Sequence, residues 1–378
     1  MSVYEREMET EEAIELAKQC LDFLNLNYEI SEKKTIVDSN VSTYSVILNG
    51  TVQGNGKGYS NQSLASAIYE AIEHYIYQNS SNSEMSVPIS SICDGIIQNE
   101  YVVKVLKENL SPDDIIGATK FFDGNNKIFF PTALWNVYNN SIPDKCVSIK
   151  KYSTNSGCAI GTSLNDALIH ALNELLERYS LSKHYYNVFI DHSEKAVFIN
   201  PKSLSASLLE LYNTISAEIG TEIIIVDIKT FDGFFCYQVF ADNPGTGVPF
   251  KGSGLSTSSR YALERALLEC LQSYHLQCAQ NKIEDVTALS LFKELKKYNA
   301  ILCLKYGADI QFADYVTSKE IAAEQIYQEE IKIIEQNKMN ISYKILFSYN
   351  QIICVQVILH GNDKFYLVGS GIPVVPND

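Results

Sequence analysis

The sequence predicts an α+β fold with mainly antiparallel sheets and one shared centre. Two observations carry that expectation: strand-like segments come in adjacent pairs with helix-like segments between them, and one short pattern is written three times. A doubly wound sheet would instead alternate single strands with single helices.

Taken in order, residues 11–26 read as an amphipathic helix with Ile14, Ala17, Leu21 and Leu24 on one face. TYSVILNG at 43–50 reads as a strand, and NSSNSEMSV at 79–87 as a loop. Strand pairs are expected at 222–229 with 234–241 and at 341–348 with 352–359. Further helices are expected at 202–219 and 319–337. No long linker or low-complexity tract divides the 378 residues, so a single domain over 1–378 is expected, its motifs falling at about 6–280.

The repeat reads Leu-x-x-Ala-x-x-Glu-x-x-(Glu/Gln)-x-Tyr. Its copies are Leu64, Ala67, Glu70, Glu73, Tyr75; Leu168, Ala171, Glu174, Glu177, Tyr179; and Leu263, Ala266, Glu269, Gln272, Tyr274. Each follows a Gly-, Ser- and Asn-rich stretch, so each unit reads as a glycine-rich turn leading into a helix. Copies about a hundred residues apart are too distant for a solenoid. They fit a body with three related elements around one centre.

Composition narrows the function. Net charge is −15, which argues against a nucleic-acid partner. No apolar run is long enough to cross a membrane, and the acidic start MSVYEREMETEE is unlike a signal or transit peptide, so a cytoplasmic location and no membrane partner are expected. Nine scattered cysteines form no CxxC pair and read as reduced, partly buried thiols rather than zinc ligands. The six histidines are dispersed and read as structural or surface residues. Only four arginines occur, Arg6, Arg178, Arg260 and Arg265, as expected if arginine is kept where a planar fork is needed.

Residues three apart on a helix share a face, so Glu70 with Glu73 and Glu174 with Glu177 present paired carboxylates, and Glu269 adds a fifth. The surrounding text is apolar, where carboxylates are costly unless paired or bound to metal. An all-oxygen donor set favours a hard cation, with Mg²⁺ the usual choice beside phosphates. Lys57, Arg178 and Arg265 stand in or beside these units and could meet phosphate oxygens. GNGKG at 54–58 is not a Walker A loop: Thr51 occupies the first glycine position and Gly58 follows Lys57. The Glu-x-x-His, GxSxG, HExxH and EF-hand patterns are absent from the sequence.

NGKGYSNQSLASAIYEAIEHY, NSGCAIGTSLNDALIHALNELLERY and ALERALLECLQSY closely resemble the three nucleotide-binding motifs of the YcaO superfamily, in order and with family-like separations. The resemblance implies an α+β fold holding ATP and Mg²⁺ between the motif helices. By position, Glu70, Glu73, Glu174, Glu177 and Glu269 would be metal ligands. Lys57, Ser66, Ser156, Arg178, Arg265 and Gln272 would contact the nucleotide, with Arg6 on its adenine side. The ending GIPVVPND partly resembles the Pro-x-Pro-x-Pro tail of azoline-forming members, which places Pro376 beside Arg178 and Arg265 as a catalytic expectation. His74 stands where the family usually has Arg, and Ser156 where Asn is common.

The family's best-understood members activate a peptide-backbone amide: a nucleophile adds to the carbonyl, ATP phosphorylates the resulting oxygen, and phosphate leaves. The resemblance therefore implies a cyclodehydratase turning Cys, Ser or Thr of a ribosomally made precursor peptide into azolines. Sulfide or an amine as nucleophile would give a thioamide or amidine. A non-catalytic nucleotide-binding subunit of a peptide-modifying synthetase is a second reading, motivated by His74 and the tail, and an indirect role in thiolation of a ribosomal protein is a third. A separate leader-binding or E1-like partner is expected, since the chain leaves no room for one, and a homodimer is possible.

Overall fold

The computed structural model describes residues 5–35, 40–80, 84–92, 97, 100–190, 192–277, 283, 308–315, 322–361, 366–367 and 373–374. Helix α1 (Thr10–Phe23) buries Ile14, Ala17 and Leu21, and ends where Asn25 turns to φ 53°. Strands β1 (Tyr28–Lys34), β2 (Val41–Leu48) and β3 (Val52–Tyr59) form an antiparallel three-stranded sheet, and α2 (Asn61–Gln78) folds back onto β3.

A second sheet follows. Its first members are β4 (Met85–Pro88), β5 (Ile115–Asp123) and β6 (Asn126–Pro131), with short helices α3 (Ile89–Ile92), α4 (Tyr101–Asn109) and α5 (Thr132–Trp135) around them. β7 (Cys158–Gly161) then leads into α6 (Leu164–Tyr185). The third sheet takes β8 (Val197–Ile199), β9 (Ile223–Asp227), β10 (Phe235–Ala241) and β11 (Phe250–Ser256), with α7 (Ala206–Ile219) between β8 and β9. Helix α8 (Ser259–Leu276) follows β11, and β12 (Ala308–Ile310) pairs with β8, the one parallel pairing among the described strands. Helix α9 (Ala323–Gln336) precedes the hairpin β13 (Asn340–Tyr349) and β14 (Ile352–His360), which joins the second sheet in the order β4-β5-β13-β14-β7. Two short strands, β15 (Tyr366–Leu367) and β16 (Pro373–Val374), pair with each other. The α+β architecture with antiparallel sheets is therefore as expected.

Both expected strand pairs form, as β9 with β10 and β13 with β14. The helix expected from 202 starts at Ala206, because Pro201–Ser203 make a 3₁₀ turn capped by Asn200. Part of the loop expected at 79–87 is a strand: Met85–Pro88 pairs with 115–118, since β5 has an open edge there. Residues 81–83 of that expectation lie outside the described residues. No described helix is long and apolar enough to cross a membrane. The six described cysteines are free and buried; Cys93, Cys278 and Cys303 fall outside the described residues.

The threefold repeat has a packing cause that corrects one expectation. Two of its glycine-rich lead-ins, GNGKGY and FKGSGLS, are strands throughout, and the third contains the strand CAIG. Alternation along β3 puts Gly54 and Gly56 against α2, where a Cβ would collide with the backbone of Ser63, Ala67 and Ala71. On β11, Gly252 and Gly254 meet the backbone of Ala262, Ala266 and Cys270 of α8 in the same way, and Gly161 on β7 meets Ala167 of α6. The repeated alanines Ala67, Ala171 and Ala266 are fully buried. Small residues on both elements let each helix lie on its strand, which carries the helix's outer stripe into the centre. Gly252→Ala is expected to cost about 3 kcal/mol or more, read as a lowered denaturation midpoint, because backbone rather than a flexible side chain must give way.

A buried polar chain ties α4 to the hairpin: Ser342 Oγ lies 2.8 Å from His360 Nε2, and His360 Nδ1 2.8 Å from Glu100 Oε1. With Ser342 and His360 fully enclosed, this Ser-His-Glu order is structural.

Candidate functional site

The three motif helices converge on a cavity of about 410 Å³, within the range of roughly 300–1,000 Å³ usual for small-molecule sites. Helix α2 contributes Ser66, Tyr69, Glu70 and Glu73; α6 contributes Asp166, His170, Glu174, Glu177 and Arg178; α8 contributes Tyr261, Glu264, Arg265, Glu269 and Gln272. On each helix these positions recur every three or four residues, so one stripe faces inward. Asn55 and Lys57 reach in from β3, and Arg6 and Met8 from the segment before α1.

Strand residues next to the packing glycines hold the glutamates. Ser253, between Gly252 and Gly254, donates to Glu177 Oε1 at 2.6 Å and lies 3.5 Å from Glu269 Oε1. Lys57 forms an ion pair with Glu269, and Arg178 Nε lies 3.9 Å from Glu174 Oε1. Asp166, buried at the first turn of α6, accepts from Thr162 N at 2.9 Å and from Arg6 Nη1 at 2.6 Å.

Crowding acids in a cavity raises their proton affinity. Burial first, then Cys158, Glu174 and Glu70, push the Glu73 carboxyl well above the ordinary range, against a hydrogen bond from the Ile160 backbone. Burial lifts Glu174 to about 7, with Glu177 and Glu70 adding and Arg178 opposing. Glu70 is also raised, chiefly by burial. Glu269 goes the other way: burial opposes its charge, but Lys57 with Arg178 and Arg265 outweighs it. His170 is held neutral by burial and by Arg6, Arg265 and Lys57.

All five candidate metal ligands line this one cavity, as do Arg6, Lys57, Ser66, Arg178, Arg265 and Gln272. Ser156 does not. Its hydroxyl accepts from Thr154 Oγ1 and its carbonyl from Gln356 Nε2, which keeps it in the turn while Asn155 lines the cavity. Pro376 lies outside the described residues. Two histidines depart from the structural or surface reading: His74 and His170 line the cavity, although His74 Nδ1 sits 2.7 Å from Gln53 O. Of the arginines, Arg260 pairs with Asp314 away from the cavity. Asp166, His170, Asn155 and Tyr261 were not singled out from sequence. Asp166, His170 and Glu174 stand four apart on α6, a spacing that could have revealed the first two.

The donor set fits Mg²⁺ and a polyphosphate. Among the lining residues, seven acidic side chains (Glu70, Glu73, Asp166, Glu174, Glu177, Glu264, Glu269) face four basic ones (Arg6, Lys57, Arg178, Arg265). With all seven ionised, that excess repels an anion unless divalent cations accompany it. Conversely, Arg265 Nε is buried and has no hydrogen-bond partner among the described residues, a donor suited to a phosphate oxygen. No three acidic, histidine or cysteine side chains among the described residues already converge as a finished metal cage. Mg²⁺ usually takes one or two carboxylates and completes its shell with phosphates and water.

Residues 55–360 match the family model described as YcaO cyclodehydratase, ATP- and Mg²⁺-binding. An uncharacterized protein of Methanothermobacter thermautotrophicus is 26% identical over 242 residues, 62% of this chain and 60% of that one. An uncharacterized Mycobacterium tuberculosis protein is 28% identical over 123 residues, 31% of this chain and 26% of its own length. The chain thus spans less than two thirds of these curated relatives. Among solved structures, YcaO of Methanopyrus kandleri bound with AMPPCP and Mg²⁺ superposes with a TM-score of 0.72 at 16% identity, covering 100% of this chain and 98% of that one. A heterocyclase in complex with substrate and cofactor gives 0.68 at 15% identity, over 94% of this chain and 52% of that one. The Escherichia coli microcin synthetase complex gives 0.58 at 17%, over 92% and 96%. At such identities the structural likeness speaks for the fold.

Proposed function

The chain belongs to the YcaO family of ATP- and Mg²⁺-binding enzymes, and from that premise we propose that it cyclodehydrates Cys, Ser or Thr of a ribosomally made precursor peptide to azolines. The observation that carries this reading is the convergence of five glutamates and three cations (Lys57, Arg178 and Arg265) on one cavity.

Glu70, Glu73, Glu174, Glu177 and Glu269 would hold Mg²⁺. When bound, Mg-ATP supplies the phosphoryl group that makes the amide oxygen a leaving group, so each ring closure yields one ADP and one phosphate. Arg265 and Arg178 would neutralise charge on the phosphate oxygens, Arg265 through an Nε–H that has no partner among the described residues. Lys57, paired with Glu269, keeps that carboxylate charged and fixed for the metal. Ser253 orients Glu177 in the same way. The packed strand–helix units hold all these groups in place before substrate arrives, as electrostatic catalysis requires.

A separate leader-binding or E1-like protein would deliver the peptide. The likeness to a synthetase complex and to a substrate-bound heterocyclase supports such partners. The test is to incubate the chain with ATP, Mg²⁺ and a precursor peptide, with and without a partner, then weigh the peptide and count ADP. One water lost and one ADP released per ring is expected. A gain equal to sulfur replacing oxygen would reassign the product as a thioamide. Unchanged peptide mass with every partner would overturn the reading.

A further inference from the structure

Ahead of α1, Glu5 is the unusual residue. It has φ 66°, a conformation costing a non-glycine residue of order 1 kcal/mol, yet its carboxylate is buried. Such strain persists only where the surroundings over-determine it. Here Ser256 Oγ of β11 donates to Glu5 Oε1, and Asn173 Nδ2 of α6 donates to Oε2 at 3.1 Å. The next residue points the other way along the same helix: Arg6 Nη1 bonds Asp166 Oδ1 at 2.6 Å and its side chain lines the cavity. Two successive side chains, one acidic and one basic, are thus pinned to α6 two turns apart, and the acidic one is also pinned to β11. The segment they fix contributes Arg6, Met8 and Thr10 to the cavity wall.

We propose that Asp166 is a positioning residue for the nucleotide: by gripping Arg6 it fixes the segment 5–10 as a wall of the site, with Glu5 as the second anchor. The inference rests on the Mg-ATP reading of the cavity and deepens it. Asp166 also has a purely local use, since it accepts from Thr162 N and Thr162 Oγ1, and its own N–H donates to Ser163 Oγ at the start of α6. A helix-capping role alone would act without Arg6. A positioning role must act through it.

That difference sets the experiment. Mg-ATP affinity is measured calorimetrically on the full chain for wild type, Asp166→Asn, Arg6→Ala and the double variant, with melting curves for each. Asp166→Asn is expected to weaken Mg-ATP binding about tenfold, the scale of one charged hydrogen bond. Arg6→Ala should do the same, and the double variant should bind no worse than Arg6→Ala alone. Independent, multiplying losses, or an Asp166→Asn affinity equal to wild type, would overturn the inference while leaving the nucleotide site intact. Failure of wild type itself to bind Mg-ATP would instead sink the functional reading beneath it. Glu5→Gln adds a second arm. It keeps the size of the anchor but weakens its acceptors, so it should also lower Mg-ATP affinity, and an unchanged affinity would remove Glu5 from the proposal.

Discussion

Glu73→Gln is expected to raise the melting temperature of the metal-free protein by about 2 °C or more while removing most of the extra stability that Mg-ATP gives wild type. Both effects follow from one cause. The Glu73 carboxyl is raised well above its ordinary range by burial, and then by Cys158, Glu174 and Glu70. An acid whose folded pKa is raised makes folding less favourable once pH passes its unfolded value, because the folded state binds more protons than the unfolded one. An amide of the same shape carries no such cost, but its neutral oxygen is a weaker donor to a divalent cation than a carboxylate. Loss of one charged oxygen donor should also cut ATP turnover by about 100-fold or more. The pH dependence carries the same sign. Glu174 rises from 4.5 to about 7, so the metal-free wild type should lose stability as pH climbs through that window. Melting curves at both ends of that range, with and without Mg-ATP, check all of this. A variant that melts lower without metal, and still gains full stability from Mg-ATP, would show that Glu73 is not held in reserve for a cation.

Such frustration explains what the sequence made legible. Repeated Glu-x-x-(Glu/Gln) pairs inside apolar helices conflict with local burial, and conflicts of that kind mark functional sites. The five glutamates are therefore readable from their repetition in apolar helices, Arg178 and Arg265 from the scarcity of arginine and their place in the repeat, and Lys57 from its place in the lead-in to the first copy. Two of the glycine-rich lead-ins are strands rather than the expected turns, because composition cannot distinguish glycine chosen for φ from glycine chosen to lack a Cβ. Gly252 and Gly254 are strand residues that admit a helix backbone. Asn155 rather than Ser156 lines the cavity because the hydrogen bonds from Thr154 and Gln356 decide which residue of the turn faces inward, and one of those partners is 200 residues away. Asp166 and His170 were hidden for a simpler reason. Neither residue type recurs at its position in the other two copies, which have Gln62 and Tyr261, and Ser66 and Arg265, so repetition could not single it out.

Arg265 should show the largest loss of turnover with the smallest structural excuse. Its guanidinium lies 5.9 Å from the centre of the Tyr261 ring, and its Nε donor has no partner among the described residues. A buried donor left open costs stability that only a ligand can repay. Arg265→Ala should lower peptide-dependent ATP consumption about 1,000-fold, the scale of an arginine acting on a transferring phosphoryl group. Alanine alone leaves an ambiguity, however, since burial raises the Glu5 carboxyl above its ordinary range and Arg265 opposes that rise. Arg265→Lys separates the two roles. Lysine keeps the charge near Glu5, so melting should stay within about 2 °C of wild type. It cannot reproduce the planar fork, so turnover should still fall by about 100-fold. A lysine variant with near-normal turnover would mean that Arg265 acts only as a point charge, and the phosphate contact would then pass to Arg178, the exposed arginine on the facing helix.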